Sequence, residues 1–365
     1  MKKVCIFTTS LNQGGIERSI LRFLDYAISR ADYTLVVRNA KTGELYKEYN
    51  RCNINILFQS VGFFNPFKCW KIYSFLKKNS FDVVCDYTGN FAGLTMWLAK
   101  KAGVLDRVTF YRLSSNLYKE SILKNLYNSF VNQLVYNCAT VILANSYSAF
   151  DFFFPYKNES DNRFQVIYNG ICIKEFENRY DKNEVRKEFG ISEDAIVIGH
   201  TGRVTWAKNF PVIVAVAERL YDNFENVYFV CCGQGTDTEL INEIDPNKRD
   251  RIKLLGYRND IPRILSMFDI FFFPSLTEGQ PNSLLEALMA GLPIVASDIN
   301  AIKECLPDDL HSQLVGVEDV DTAYSKIKEL IEGDKQKPSL NYSEWAMKTY
   351  KAENKFEELC LVLKI

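Results

Sequence analysis

Short apolar runs of strand length alternate along this chain with segments whose apolar residues recur at helical spacing, and the alternation runs through twice. That pattern commits a chain to parallel sheets, because parallel neighbours need a long crossover connection and a helix is the usual one. Residues 4–9, 33–37, 54–58, 83–86, 108–112 and 141–144 read as strands of a first sheet. Between the first two, Gln13-Gly14-Gly15 reads as a turn, and residues 16–28 as a helix with Ile16, Ile20, Phe23, Leu24 and Ala27 on one face. The series restarts after Asn169-Gly170, with strands at 196–199, 227–232, 252–255, 270–273 and 294–296. A polar stretch, 157–163, precedes the restart and reads as a surface loop. Trp345, Tyr350, Phe356, Leu359 and Leu363 recur at roughly helical spacing, so the tail from 342 reads as a closing helix. The expected class is α/β, with two Rossmann-like domains divided at 168/169.

A length of 365 residues suits two such domains. No apolar run approaches the roughly 18 residues that cross a bilayer. The start resembles a signal peptide only as far as Thr8, with no small-residue cleavage site beyond, and reads as a buried first strand. Ten cysteines lie scattered without a C-x-x-C pair, and Cys5, Cys85, Cys231 and Cys232 fall inside expected strands, where a free thiol packs as a small hydrophobe. A reducing cytoplasm is the expected compartment. With only His200 and His311 and no clustered thiols, a transition-metal site has little to be built from, and no metal is expected.

The net charge of −1 conceals an asymmetry. Residues 1–165 hold 21 Lys and Arg against 12 Asp and Glu, or +9, whereas 166–365 hold 23 against 33, or −10. The first half should favour an anionic partner. No DNA- or RNA-binding module accompanies that charge, so nucleic acid is not expected. The segment 62–73 interleaves Phe63, Phe64, Phe67, Trp70 and Tyr73 with Lys68 and Lys71, followed by Lys77 and Lys78. Two readings fit it: a helix lying on an anionic bilayer, or an amphipathic helix whose aromatics pack in the core.

The densest chemistry is in Gly199-His200-Thr201-Gly202-Arg203-Val204-Thr205-Trp206-Ala207-Lys208-Asn209, where a strand ends in a glycine turn and presents two cations five residues apart. Ligands of open α/β sheets bind beyond the carboxyl ends of strands. A pyrophosphate suits such a pair, Arg taking two oxygens at once and Lys acting as a point charge. A solvated loop with an incidental Arg and Lys is the alternative. A second apolar strand breaks at Pro274 into a polar loop containing Glu278, Gly279, Gln280 and Pro281, and a helix then begins near Asn282 or Ser283 and runs through Leu284 to Glu286. Its free amides offer a phosphate site, and Glu278 and Glu286 could reach different parts of one ligand through its hydroxyls. They are otherwise a loop acid and a half-buried helix acid. His200 either contacts that ligand or fills the strand end.

In order and spacing, Gly202-Arg203 with Lys208-Asn209, Leu255-Gly256-Tyr257 followed by Asp260, Glu278 with Glu286, and residues 291–298 resemble the retaining GT-B glycosyltransferases grouped as family 4. The early Gly14-Gly15 and the central Asn169-Gly170 join the match, which is strongest from 169 to 298. The resemblance implies two facing Rossmann-like domains, 1–168 for the acceptor and 169–341 for a nucleotide-sugar donor, with residues 342–365 returning to the first. It implies Arg203 and Lys208 on the donor diphosphate, Glu286 on the ribose and Glu278 on the transferred sugar. Gly14, Gly15, Gly202, Gln280, Pro281, Asn282, Ser283 and Leu284 would line the donor, and the main chain near Tyr257 would hold the base. No divalent metal is then needed, since fixed cations stabilise the charge that grows on the leaving nucleotide. Asp319-Val320-Asp321 has the D-x-D form of metal-dependent transferases of another fold, but lies far past these motifs.

Two departures stand out. Where many relatives carry a histidine in the first domain, residues 110–116 read Phe-Tyr-Arg-Leu-Ser-Ser-Asn. Retention is then expected through same-face attack, the leaving phosphate taking the proton, with Arg112, Ser114 and Ser115 shaping the acceptor pocket or merely ending a strand. Cys172 stands near the place of an aspartate. The expected activity moves a hexose, from a UDP-sugar before a GDP-sugar, to a glycan acceptor carried by lipid, in surface-polysaccharide synthesis at the inner membrane face. An epimerase-type GT-B protein and a catalytically silent nucleotide-sugar binder are the alternatives. A nicotinamide dehydrogenase would need a G-x-G-x-x-G turn that Gln13-Gly14-Gly15 does not supply.

Overall fold

The computed structural model describes residues 1–62, 65–113, 122–178, 180–333 and 342–365. They form two compact units, Met1–Gly170 with Ala352–Ile365, and Ile171–Lys351.

The first unit is built on strands β1 (Lys2–Thr8), β2 (Ala31–Val37), β3 (Asn55–Phe58), β4 (Val83–Asp86), β5 (Asp106–Tyr111), β6 (Val141–Ala144) and β7 (Phe164–Val166). All run parallel in the order β3-β2-β1-β4-β5-β6-β7. One face packs on helices Gly15–Ala27 and Ala352–Leu363 around Phe23, Leu24 and Phe356. The other packs on helices Pro66–Asn79, Gly93–Ala102 and Ile122–Cys138 around Ile72, Leu76, Met96 and Val135. In the first helix Ile20, Phe23, Leu24 and Ala27 are buried, as their spacing predicts.

The second unit carries β8 (Ile196–Thr201), β9 (Val227–Cys232), β10 (Ile252–Leu254), β11 (Ile270–Phe273), β12 (Ile294–Ser297) and β13 (Leu314–Val315), parallel in the order β10-β9-β8-β11-β12-β13. The edge strands β7 and β13, of three and two residues, are absent from the sequence reading because so short a run shows no period.

The tail departs from the expected single helix. Ser343–Tyr350 and Ala352–Leu363 are separate helices, and only the second belongs to the first unit. The break is at Lys351, whose extended backbone (φ −57°, ψ 123°) forms a parallel bridge with Ile171. The helix Ser343–Tyr350 stays with the second unit, where the Tyr350 hydroxyl donates to the Cys305 carbonyl. On the other side of the crossing, a Cβ at Gly170 would lie 2.5 Å from the Ala352 Cα, so that approach requires glycine.

Two contacts fix the centre of the second sheet. A Cβ at Gly199 would overlap the Phe268 ring at 1.9 Å, so glycine lets that ring lie directly on β8. At the opposite end of the strand, Asp269 accepts from the Val197 amide at 2.7 Å and pairs with Lys182 and buried Arg186, each at 2.5 Å. Arg186 also donates to the carbonyls of Met267, Glu193 and Ala195, tying helix Lys182–Glu188 to both central strands. Truncating one partner of a buried pair strands the other and its carbonyls. Arg186→Met is expected to lower unfolding stability by about 3 kcal/mol in urea titrations; a change below about 1 kcal/mol would show that the pair is not structural.

Candidate functional site

In the second sheet the chain moves outward from β8 through β9 to β10, then returns to the other side of β8 with β11. Connections leaving adjacent strands in opposite directions open a crevice at their carboxyl ends. That crevice lies between β8 and β11, where Gly202 to Lys208 and Pro274 to Gln280 begin.

The loops there are set by backbone contact. Gly202 N donates to the Cys232 carbonyl at 2.8 Å and Val204 N to the Gln234 carbonyl at 2.9 Å. A Cβ at Gly233, which has φ +150°, would stand 2.0 Å from the Gly202 carbonyl oxygen. Only glycine allows that approach. Gly233 N donates to the Gly256 carbonyl at 2.8 Å, and the Thr236 hydroxyl accepts from Gly256 N at 3.0 Å. The Gly233-Gln234-Gly235-Thr236 loop is thus part of the site, although the sequence reading passes over it. A G-x-G directly after a strand is the signal that reveals it. Asn209, in the left-handed region at φ 55°, donates to the carbonyls of Pro274 and Val317 and fastens the β8 loop to the β11 loop.

The structure brings Lys208 and Glu278 together. Lys208 Nζ donates to Glu278 Oε1 at 2.6 Å, with 16% and 12% of the two side chains exposed, so the pair is shielded enough to matter energetically. Lys208 also lies 4.5 Å from the centre of the Phe273 ring, and its stem lies 3.2 Å from the position of a Gly202 Cβ. Arg203 is exposed on the same loop. The helix Asn282–Met289 starts directly after Pro281, which occupies the cap position and has no side-chain group to cap it. The expected caps, Asn282 and Ser283, therefore stand at the first and second positions inside the helix. Leu284 and Leu285 are buried by that helix. Glu286, one turn on, is close enough to Cys232 at the end of β9 to raise its thiol further, after burial. Tyr257 follows the left-handed Gly256 (φ 62°) and is half exposed, its hydroxyl donating to Asn259 at 2.8 Å. Gln280 and Pro281 are buried in the β11 loop.

His200 fills the strand end. Its Nδ1 donates to the Phe272 carbonyl at 3.0 Å, and its ring lies among Phe210, Phe271 and Phe273. Nε2 is buried with no hydrogen-bond partner among the described residues, 2.9 Å from the position of a Gly202 Cβ. Burial, assisted by the Lys208 charge, lowers its pKa to about 3. The D-x-D sequence has a local explanation. Asp319 caps helix Val320–Glu332 through Thr322 N at 2.9 Å, and Asp321 pairs with Arg219.

The remaining expected residues belong to the first unit. Gly14 is the cap residue of helix Gly15–Ala27, and the Glu17 carboxylate folds back to 2.4 Å from the position of a Gly14 Cβ. Glu17 Oε1 accepts from the Ser10 hydroxyl at 3.0 Å, which places an acid beside the helix start. Arg112, at the end of β5, donates to the Ser19 hydroxyl at 3.0 Å and to Asn169 Oδ1. Burial lowers its pKa to about 10, so it remains a cation at neutral pH. Ser114 and Ser115 lie outside the described residues.

The family model described as glycosyl transferases group 1 matches residues 195–333, and that of glycosyltransferase family 4 matches residues 13–175. The UDP-Gal:alpha-D-GlcNAc-diphosphoundecaprenol alpha-1,3-galactosyltransferase of Escherichia coli is 28% identical over 69% of this chain and 66% of its own length. A diphospho-undecaprenol 4-alpha-N-acetylgalactosaminyltransferase of Campylobacter jejuni is 25% identical over 92% of each. Among solved structures, Anabaena Alr3699/HepE in complex with UDP superposes with a TM-score of 0.82 at 19% identity, covering the whole of both chains. The chain belongs to the family 4, group 1 glycosyltransferases of GT-B fold. It is a glycosyltransferase enzyme.

Two outcomes follow from this geometry. In a double-mutant cycle of Lys208→Met and Glu278→Gln, the unfolding free energies should couple by about 1 kcal/mol or more; strictly additive losses would mean that the ion pair contributes nothing. An unfolded chain binds a proton at His200 below about pH 6.5, whereas the folded chain does not until about pH 3. Stability from this residue is therefore complete above pH 6.5 and falls as pH drops through that window. Imidazole NMR should show His200 still neutral at pH 5 in the folded protein, and a titration midpoint near 6.5 would contradict its burial.

Proposed function

We propose that this chain is a retaining, metal-independent hexosyltransferase that takes its sugar from a nucleoside diphosphate, UDP before GDP, and passes it to a lipid-linked glycan acceptor. The observation that carries this reading is the Lys208–Glu278 pair, 2.6 Å apart, at the carboxyl-end crevice beside Gly202. A donor diphosphate entering there competes with Glu278 for Lys208. On exchange, Lys208 and Arg203 take the phosphate oxygens, and the freed Glu278 carboxylate accepts hydrogen bonds from hydroxyls of the transferred sugar. Glu286 accepts from the ribose, the first turn at Asn282 and Ser283 offers amides to phosphate, and the main chain at Tyr257 holds the base.

Breaking the anomeric bond leaves an oxocarbenium-like sugar and an extra negative charge on the nucleotide. Preplaced cations stabilise that charge as it develops, which is the role a metal would otherwise fill. His200 cannot act as a base at the sugar, because Nδ1 is committed to Phe272 and Nε2 is buried. Same-face attack with the leaving phosphate taking the acceptor proton fits this arrangement. In the first unit, Arg112 keeps its remaining N–H groups for the acceptor.

The names of the relatives support the donor and acceptor classes: one carries UDP-Gal and two carry diphospho-undecaprenol acceptors. Relatives named for capsule and O-antigen synthesis place such reactions in surface-polysaccharide assembly. No helix among the described residues is long and apolar enough to cross a membrane. Action on a lipid-linked acceptor then calls for peripheral attachment to an anionic membrane surface, facing a reducing cytoplasm.

The test is nucleotide release from a panel of UDP- and GDP-hexoses with a polyprenyl-diphosphate glycan, with the product anomer read by NMR. We expect UDP release and a retained anomeric configuration. Arg203→Ala, Lys208→Ala and Glu278→Ala should each lower turnover about 100-fold or more with circular dichroism unchanged. Undiminished turnover in these variants would defeat the site assignment.

A further inference from the structure

His200, at the end of β8, is a polar ring set among three phenylalanines. It is buried, edge-on to Phe210 at 5.1 Å and stacked on Phe273 and Phe271 at 5.6 and 6.4 Å. A fourth phenylalanine would fill that space with no polar atom to bury. Nδ1 has a partner in the Phe272 carbonyl, and because a carbonyl oxygen only accepts, the single proton of the neutral ring is fixed on Nδ1. Nε2 is left with a bare lone pair, buried and without a hydrogen-bond partner among the described residues. An acceptor kept in that state costs stability. Either the ring is there for Nδ1 alone, or the lone pair is used in another state of the protein.

The surroundings of Nε2 show which group can use it. A Cβ at Gly202 would stand 2.9 Å from Nε2, and 3.2 and 3.3 Å from Cε and Cδ of Lys208. Imidazole and lysine stem therefore flank the space that glycine leaves open, and a methyl group there would crowd both. Lys208 Nζ lies 4.5 Å from the centre of Phe273, the ring on which His200 stacks. It has three N–H groups, and Glu278 takes one of them at 2.6 Å. Rotation about the last bonds of the lysine carries the ammonium from Glu278 toward Nε2. Lys208 is also the charged side chain whose field reaches the ring, and burial keeps that ring neutral down to about pH 3, so Nε2 stays an acceptor.

We propose that His200 is a positioning residue for Lys208: when a donor diphosphate displaces Glu278, imidazole Nε2 accepts one N–H of the lysine ammonium and aims the others into the crevice. The inference deepens the functional reading above and rests on it for the diphosphate. Glu278 and His200 hold the same cation in different ways. The carboxylate neutralises it, which suits the shielded resting pair. The neutral imidazole takes a hydrogen bond and leaves the positive charge whole, which suits the moment when negative charge grows on the leaving nucleotide. A lysine stem fixed at its head also has less freedom left to lose in the transition state. No proton moves in the exchange.

Nitrogen-15 NMR of the full chain on addition of UDP, or of GDP if UDP does not bind, tests this, together with steady-state turnover. At saturation the His200 Nε2 resonance should move upfield, the direction expected when a bare imidazole nitrogen accepts a hydrogen bond, while Nδ1 keeps its proton. In Lys208→Met it should stay in place. His200→Phe, which fills the same space, should keep or raise the melting temperature and lower kcat about tenfold or more, with the donor KM changed less than about twofold. His200→Gln, which can bring a side-chain oxygen to the place of Nε2, should recover part of that loss. An Nε2 resonance unmoved by bound nucleotide, a shift that persists in Lys208→Met, or full turnover in His200→Phe would each overturn the role of His200. Equal losses of turnover and melting temperature in the Phe and Gln variants would overturn it too, leaving the ring a purely structural part. Failure of the chain to bind UDP or GDP, or to release either from any donor sugar, would instead strike the transferase reading.

Discussion

Two loops pressed together with no side chain between them set the geometry of the second unit. The Gly202 carbonyl lies 2.0 Å from where a Cβ on Gly233 would stand, so the chain leaving β8 can run against the chain leaving β9. From that contact the rest follows in order. Val204 bonds Gln234, the 3-10 turn Trp206–Lys208 closes over the strand ends, and Asn209 reaches across to Pro274. Lys208 is thereby held against Phe273 and beside Glu278. Any side chain at Gly233 would lever these loops apart and move the cation from the acid.

The ion pair explains how two charged side chains can share the shielded crevice proposed for a diphosphate. A half-buried lysine left alone would cost desolvation, and so would the carboxylate. Paired, they satisfy each other until a ligand with more charge and more acceptor oxygens arrives. The neighbouring His200 is handled differently: it is kept neutral, its one proton committed to a strand carbonyl, so a second cation does not crowd Lys208. Charge is thus paired at Lys208 and Glu278 and removed at His200, where it would only repel.

Much of this was legible in the residues. Central strands announced themselves because both of their faces are buried and their apolar runs are continuous, as in Ile270–Phe273. Arg203, Lys208, Glu278 and Glu286 stood out because charged residues at strand ends and in a Pro- and Gly-containing loop have few structural reasons to be there. Three things were hidden. The edge strands β7 and β13 are too short for periodicity. The break at Lys351 depends on a bridge to Ile171, a partner 180 residues away that helical spacing cannot reveal. Glu17 accepts from the Ser10 hydroxyl beside Gly14, a contact across seven residues that spacing does not reveal. The aromatics of 66–79 admitted two readings because spacing tells which residues share a face, not which face finds a neighbour; Phe67 and Trp70 remained outside.

The central claim is that the nucleotide's diphosphate is held at the crevice between β8 and β11. Amide hydrogen exchange with and without UDP measures this directly, because protection reports where a ligand orders backbone, whatever the rate of turnover. The account predicts slowed exchange concentrated in the segments 202–208 and 278–285, with the Gly256–Tyr257 turn following. UDP binding that leaves those segments unprotected, with its effect confined to other parts of the chain, would contradict it.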